Sequence, residues 1–390
     1  MGRMVAHAMG VVLVVAASIL SAQAPTPTPP DMGTPRFMAE LLYTACMSSE
    51  PTKDLTSRQL ICSVMRGACG DEPTSAGCQK SMNEFAVVKR SADPSFVLFT
   101  AASIDNVEVL EAMIAKGGNP NVSIQGLGGW TPVTMAAAQG ASSAVSALLR
   151  HGADPNRPND LGRTALMFAA NYGQTEIIRL LVKAGANVRA RPNSEPRFSA
   201  LLAAASNGHV DAVRVLLELG ADINDSDDDG QTALMLASAK GHSSVVRELV
   251  TRGVDVNTTG RGGINAIAVA VVEGQAEVVD LLLDDRVKLN VRAGQFGNTP
   301  LALAISLGRT QIAQKLLAAG ADPNLSASRG LTPLMIATMR SNLELVQTLI
   351  DKGADINARN VDGATAIQLA AQQTDKRIVE KLRQAGAREE

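Results

Sequence analysis

The chain has 390 residues, and its 36 lysines and arginines nearly balance its 38 aspartates and glutamates, for a formal net charge of −2. Overall charge therefore argues neither for nucleic acid nor for an acidic partner. Aromatic residues make up only 3% of the chain, which is typical of helices that pack through alanine and leucine. The length alone would indicate two or three globular domains.

The first 24 residues have the pattern of a secretory signal peptide. Arg3 supplies the positive end, residues 9–20 form an apolar run, and Ala-Gln-Ala at 22–24 has the small-x-small form of a cleavage site. The run is short for a membrane span, and no later segment is apolar enough to cross a bilayer. We therefore expect a periplasmic or secreted protein. An uncleaved anchor is the alternative, because Pro25 would follow the cut.

A proline- and threonine-rich stretch at residues 25–36 cannot hold a helix, and it predicts an extended linker. Residues 37–93 then contain every cysteine of the chain and show helical periodicity. The four cysteines are Cys46, Cys62, Cys69 and Cys78. In an exported chain an even, clustered set predicts disulfides. We expect a small disulfide-bonded helical module here.

Four cysteines allow three pairings. If one helix reaches from Cys62 to Cys69, the two residues lie about 10.5 Å apart, beyond the roughly 7 Å that a disulfide tolerates. We favour Cys46–Cys62 with Cys69–Cys78, and the alternative is Cys46–Cys69 with Cys62–Cys78. Zinc is disfavoured, because the segment has no Cys-x-x-Cys pair and no nearby histidine.

Residues 94–390 repeat one motif: Gly-x-Thr-Pro/Ala-Leu, an alanine-rich helix, a second helix of the Val-Val-x-x-Leu-Leu kind, then Gly-Ala-Asp-x-Asn. The small polar residue that opens each copy recurs every 33 to 35 residues. These residues are Thr131, Thr164, Ser199, Thr232, Asn265, Thr299, Thr332 and Thr365. Such a regular period indicates a solenoid, in which stability comes from stacking of neighbours.

The motif resembles the ankyrin repeat, most clearly in Trp-Thr-Pro at residues 130–132 and Gly-Ala-Asp-Ile-Asn at residues 353–357. A divergent copy at 95–122 precedes the eight aligned ones and predicts an N-terminal cap. The expected fold is all-α: an ankyrin-repeat solenoid of about nine helix-turn-helix repeats with short hairpin fingers, behind the cysteine module.

Local chemistry explains the repeat. Threonine caps the first helix, and proline fits its first turn. Glycine ends the second helix in a left-handed turn. Those glycines are Gly152, Gly185, Gly220, Gly253, Gly320 and Gly353. Arg286 stands at this position in one repeat, which predicts a weak joint or kink. The histidine of the family's Thr-Pro-Leu-His is absent throughout, so we expect apolar packing to compensate for its hydrogen bonds.

The resemblance implies that partners bind along the finger tips and inner helices. Residues expected on this surface are Trp130, Leu161, Arg163, Tyr172, Phe198, Gln231, Ile264, Phe296 and Leu331. Aromatic and arginine side chains there indicate a binding face that stacking does not need. The alternative is that some of them pack between neighbouring fingers.

One finger resembles the opening of a calcium loop. Asp225, Asp227 and Asp229 alternate before Gly230, but Leu236 occupies the position of the closing acid. We therefore expect a solvated acidic finger and no metal. No catalytic or phosphate-binding motif is present. His209 and His242 follow the glycine of the inter-helix turn, a common position for histidine in ankyrin repeats, so we expect the histidines to have structural roles.

The sequence thus predicts an exported, non-catalytic scaffold, most plausibly of a bacterial periplasm, that binds another protein on the concave ankyrin face without a cofactor. No nucleic acid and no integral membrane segment is expected after signal removal. A more specific alternative is an immunity or protective protein that occludes an exported enzyme. A calcium-dependent binding module and an unrecognised enzyme are further alternatives.

Overall fold

The computed structural model describes residues 94–123, 129–192, 197–284, 286–293, 297–372 and 376–388. Residues up to Ala200 belong to one compact unit and those from Leu201 onward to another. The predicted signal, linker and cysteine module, with all four cysteines, lie outside the described residues, as does Phe296. Within the described ranges the regular structure is helical, with isolated β-bridges but no strand.

The described part of the first unit contains three helix pairs. They are α1 (Pro94–Ser103) with α2 (Val107–Ala115), α3 (Pro132–Gln139) with α4 (Ser142–Arg150), and α5 (Ala165–Asn171) with α6 (Thr175–Lys183). The first helices of successive pairs lie side by side, and so do the second helices. Leu110, Leu148 and Leu181, one from each second helix, are fully buried between neighbours. Stacking therefore buries the apolar stripe that a single pair would expose.

The described part of the second unit contains six pairs of the same kind, and the first of their helices begins at Ala200, the last residue of the first unit. The first helices are α7 (Ala200–Ser206), α9 (Ala233–Lys240), α11 (Ala266–Glu273), α13 (Pro300–Ser306), α15 (Pro333–Met339) and α17 (Ala366–Ala371). The second helices are α8 (Val210–Glu218), α10 (Ser243–Thr251), α12 (Ala276–Leu282), α14 (Thr310–Ala318), α16 (Leu343–Asp351) and α18 (Lys376–Gln384). Two short 3-10 turns, Arg261–Gly263 and Ser328–Gly330, lie in the fingers.

The predicted threonine caps are confirmed in most repeats. The hydroxyl of Thr131 accepts a hydrogen bond from the Thr134 amide, and Thr232, Thr299 and Thr332 repeat this contact. Thr164 is an exception, because its buried hydroxyl has no partner among the described residues. These first helices therefore begin after a threonine whose hydroxyl accepts a hydrogen bond from an amide of the first helical turn.

Glycine turns are also confirmed, for example at Gly152 and Gly185, where φ is +83° and +94°. Arg286 stands at the position of these glycines, and α12 ends after seven residues where every other described second helix has nine. The Asp284 carboxylate instead accepts hydrogen bonds from the Arg286 amide at 2.9 Å and guanidinium at 2.6 Å. Burial opposes ionisation of Asp284, but these contacts outweigh it and lower its pKa. A side-chain clasp thus replaces the glycine turn.

Asparagine side chains make hydrogen bonds between neighbouring repeats. The Asn156 side-chain amide donates to the Gly185 carbonyl at 2.9 Å, and its oxygen accepts from the Asn187 amide at 2.7 Å. In the second unit Asn324 makes the same pair of contacts with Gly353 and Asp355. The final Asn of the Gly-Ala-Asp-x-Asn motif thus joins these repeats to the next, and compensation for the missing histidines by apolar packing stays a prediction.

Candidate functional site

The finger before α5 positions two of the predicted site residues. Buried Asn159 accepts hydrogen bonds through Oδ1 from the amides of Leu161 and Arg163, at 3.1 and 2.9 Å. Its own amide donates to the Arg163 carbonyl at 2.9 Å. This clasp leaves the Leu161 side chain 50% exposed at the tip and returns the chain to α5 with Arg163 half-buried.

Trp130 takes part in packing, contrary to the expectation that stacking does not need this face. Its ring lies 4.4 Å from that of Phe168, centroid to centroid, at an interplanar angle of 35°. Phe168 lies on the neighbouring helix α5 and is buried, whereas Trp130 is half-buried. One part of the indole therefore stabilises the joint between two repeats, and another part meets solvent.

Tyr172 lies one turn beyond Phe168, at the end of the same helix α5. Its pKa is raised, because partial burial disfavours the phenolate, while the positive charge of Arg163 lowers it in part. Positions i and i+4 share a helix face. The structure thus brings Trp130, Arg163, Phe168 and Tyr172 together, and we call these four residues the aromatic cluster.

Phe198, the remaining predicted residue of the first unit, lies half-buried immediately before α7. In the second unit Gln231 is exposed, Ile264 is partly exposed and Leu331 is half-buried; each directly precedes the cap of a first helix. The sequence correctly placed these residues just before the first helices. Their role in binding stays a prediction.

The acidic finger has the same clasp as the finger before α5. Asp227 accepts through Oδ1 from the amides of Asp229 and Gln231, at 3.0 and 2.8 Å. Asn360 makes the equivalent pair of contacts with Asp362 and Ala364. Because asparagine serves in two fingers, the carboxylate of Asp227 is explained by backbone hydrogen bonding. No cluster of three metal-binding side chains was found in the described part of the chain.

Three apolar residues on the first helices of the second unit were not included in the predicted site. Val272, Leu307 and Met339 are 41%, 47% and 48% exposed and lie at the ends of α11, α13 and α15. The signal was available for Val272 and Met339, because the equivalent residues of the first unit, Ala138 and Asn171, are small or polar. Leu307 stands one position later in its repeat, where the first unit has Gln139 and Tyr172. We call Val272, Leu307 and Met339 the aliphatic row.

His242 has a structural role at the inter-helix turn. A ring nitrogen lies 3.1 Å from the carbonyl oxygen of Ser206, in the preceding repeat. Gln275 occupies the next equivalent position and donates to the Ala239 carbonyl at 3.3 Å.

Within the described ranges, no helix combines the length and apolar character that a membrane span requires.

The comparison with protein families gives a match over most of the repeats. The model described as "Ankyrin repeats (3 copies)" matches residues 98–192, 190–260, 258–327 and 311–389. The chain is also 34% identical over 128 residues to the E3 ubiquitin-protein ligase KEG of Arabidopsis thaliana. It is 43% identical over 58 residues to the E3 ubiquitin-protein ligase XBAT33 of the same plant.

These two matches cover 32% and 15% of this chain, and only 7% and 11% of the respective relatives. They therefore show a likeness between short regions and not between whole proteins. The family model, in contrast, extends over well more than half of the residues. The chain belongs to the ankyrin-repeat family.

Proposed function

We propose that the protein is an exported, non-catalytic scaffold that binds another protein on the concave face formed by its fingers and first helices. The observation that carries this proposal is the aromatic cluster. Trp130 and Tyr172 are half-buried beside Arg163, and Leu161 is half-exposed at the adjacent finger tip. Tryptophan, tyrosine and arginine dominate binding hot spots, because they bury large areas while keeping a polar group.

The remaining parts of the proposal rest on the sequence. Each of the nine described helix pairs would correspond to one ankyrin repeat within residues 94–390. The apolar run behind Arg3 and the clustered cysteines favour export to a bacterial periplasm or beyond, with a disulfide-bonded module at 37–93. Ubiquitin ligase activity is not proposed, because the matched stretches cover so little of the two ligases.

Binding is tested by affinity capture with the full chain from the compartment to which it is exported, followed by mass spectrometry. We expect Tyr172→Ala and Arg163→Ala to weaken the captured complex by about tenfold or more, a hot-spot effect. Lys183→Ala is the matched control, since Lys183 is exposed on α6. Equal retention of the partner by all three variants, with melting temperatures unchanged, would place the binding site elsewhere.

Export and oxidation are tested together by intact-mass measurement of the protein recovered from its own host. Alkylation without reductant should modify none of Cys46, Cys62, Cys69 and Cys78, and alkylation after reduction should modify all four. Loss of the first 24 residues or a closely similar length should appear in the same spectrum. Four alkylated cysteines in the unreduced sample would contradict the disulfides.

A further inference from the structure

The aliphatic row continues across three adjacent helices of the second unit. Val272, Leu307 and Met339 lie at the ends of α11, α13 and α15, which pack side by side. Each side chain is more than 40% exposed. Exposed apolar groups on three consecutive helices are more informative than exposed residues scattered singly, which are ordinary.

A second apolar line lies one turn earlier on the same helices. Val269 and Leu303 are half-buried, and Ile336 is almost fully buried. Residues three or four positions apart share one face of a helix. The aliphatic row therefore lies next to a second line of apolar side chains on the same helices. A partner side chain bound there would contact carbon atoms of both lines.

Fixed positive charges lie next to the central residue of the row. The guanidinium of Arg340 donates a hydrogen bond to the carbonyl of Ser306, the residue before Leu307. Arg309, two residues after Leu307, lies against Gly274 of the preceding repeat, where an added Cβ would be 2.7 Å from its guanidinium carbon. Lys240 and Glu273 occupy neighbouring turn positions. The edge of the row thus carries three cationic groups and one anionic group.

The geometry points to an amphipathic, acidic helix of a partner protein as the occupant of the aliphatic row, and we propose this assignment. The axes of adjacent packed helices lie about 8–10 Å apart, which sets the scale of the row; Val272 and Met339 hold the same place in their repeats, and Leu307 lies one position later. Seven residues of an α-helix rise about 10.5 Å. A partner helix with an apolar residue in every heptad therefore matches the row, and acidic residues beside them match Arg309 and Arg340.

A helical occupant fits better than an extended one. An extended peptide gains most of its affinity by pairing its backbone with a sheet edge, and the described part of this surface is built of helix side chains. The inference rests on the proposed function, because it takes the first-helix face as a protein-binding surface. It concerns other residues than the aromatic cluster, so the two can fail separately.

The probe is a fluorescein-labelled synthetic peptide of three heptads. Each heptad has a leucine at the same position and glutamates at the positions beside it. Two control peptides have the same composition with scattered leucines, or lysine in place of glutamate. Binding to the full oxidised chain is followed by fluorescence anisotropy at low and high salt. We expect the acidic peptide to bind, the two controls to bind at least about tenfold more weakly, and affinity to fall with salt.

Substitutions locate the site. Leu307→Ser should weaken binding by about tenfold, because a buried leucine contributes that much or more to an apolar contact. Val272→Thr, which keeps the side-chain shape, should weaken it by a smaller factor, and Arg340→Gln should reduce the salt dependence. Val361→Ser is the matched control, since Val361 is 69% exposed in a finger of the same unit. Circular dichroism melts check that each variant is folded.

Equal binding of the scattered peptide, or equal loss on Val361→Ser, would overturn the proposal. So would a preference for the lysine peptide, or unchanged binding by both Leu307→Ser and Val272→Thr. Sedimentation of the unlabelled chain tests whether a second copy of this chain occupies the row. A dimer that Leu307→Ser dissociates would assign the row to that copy and contradict a partner helix. Capture that still depends on Tyr172 after a negative peptide result would leave the proposed function standing without this inference.

Discussion

The two units present different side chains on equivalent helices. In the first unit Trp130 stacks on Phe168, and Tyr172 lies within the electrostatic influence of Arg163. In the second unit three of the six described first helices end in the aliphatic residues Val272, Leu307 and Met339, each close to half exposed. The same backbone repeat thus carries rings that are partly used for packing in one unit and exposed aliphatic groups in the other.

This difference distinguishes two explanations for a large apolar side chain on the surface: packing against a neighbouring repeat and contact with a partner. A large ring at a repeat joint gains stability from its neighbour, so its presence does not by itself indicate a partner. An aliphatic side chain at a helix end gains little in the folded monomer, so its presence is better explained by an external contact. Stability measurements and binding measurements on both units can therefore test the comparison directly.

The largest effect is expected for Trp130→Ala. Loss of the contact with Phe168 should lower the free energy of unfolding by about 2–3 kcal/mol, because a large ring and an aromatic pair are both removed. Leu307→Ala, in the second unit, should change it by no more than about 0.5 kcal/mol, since an exposed side chain contributes little. Urea unfolding followed by circular dichroism gives both values. Similar losses for the two variants would remove the distinction between packed and exposed faces.

The sequence was sufficient to predict the helix pairs, the threonine caps and the glycine turns, because these depend on residues a few positions apart. It placed Trp130 on the first-helix face but could not show its contact with Phe168, since that contact depends on the offset between two repeats. The clasps of Asn159 and Asp227 were missed for another reason. An aspartate that accepts backbone amides has the same sequence pattern as one that opens a calcium loop.

The finger clasps provide the next test, because Asn159 is buried in the first unit whereas Asp227 is partly exposed in the second. Asn159→Asp places a charge in a buried position and should cost about 1–2 kcal/mol of unfolding free energy. Asp227→Asn keeps the accepting oxygen and should stay within about 0.5 kcal/mol of the wild type. Equal costs in urea unfolding would show that burial does not distinguish the two clasps.

The acidic finger can also be tested for calcium binding. Since the closing acid is missing, we expect calorimetry to detect no binding stronger than about millimolar at the finger of Asp225, Asp227 and Asp229. A micromolar signal that disappears in Asp227→Ala would contradict the assignment of Asp227 to backbone hydrogen bonding.

Tyr172 reports on the aromatic cluster by titration. Its raised pKa means that the folded state holds the phenol proton more tightly than the unfolded chain does. Stability from this group is therefore complete below about pH 10, the unfolded value, and is lost as pH rises through the raised value. Phenolate absorbance in a Tyr43→Phe background isolates this one tyrosine, because the chain has two.

Arg163→Gln sharpens that measurement. Removal of the positive charge should raise the pKa of Tyr172 further, because the charge of Arg163 favours the phenolate. Lys183→Gln, on the exposed face of α6, serves as the control for a general loss of charge. An unchanged titration in Arg163→Gln would separate Arg163 from the cluster, whereas a shift of equal size in both variants would indicate only the overall charge.

The second helices differ between the units as well. In the first unit Arg150 pairs with Glu111 at 3.1 Å, and both side chains are well exposed. In the second unit Glu248 joins two arginines: its carboxylate lies 2.7 Å from Arg252 and 3.3 Å from Arg214. A shared, partly buried carboxylate is screened less by solvent than an isolated surface pair.

A small effect, but a larger one than at Glu111, is therefore expected at Glu248. Hydrogen bonding from Arg252, which outweighs the cost of burial, and the contacts with Arg214 lower its pKa. The stability that ionised Glu248 contributes is present above about pH 4.3, its unfolded value, and is lost as pH falls through the lowered value. Glu248→Gln should cost less than about 1 kcal/mol at pH 7, and the difference from the wild type should narrow in acid. Glu111→Gln should cost less still, because its pair is exposed. Urea unfolding of both variants at pH 7 and below pH 4 measures this contrast, and a difference for Glu248→Gln that widened in acid would reverse the sign of the coupling and contradict the ion-pair assignment.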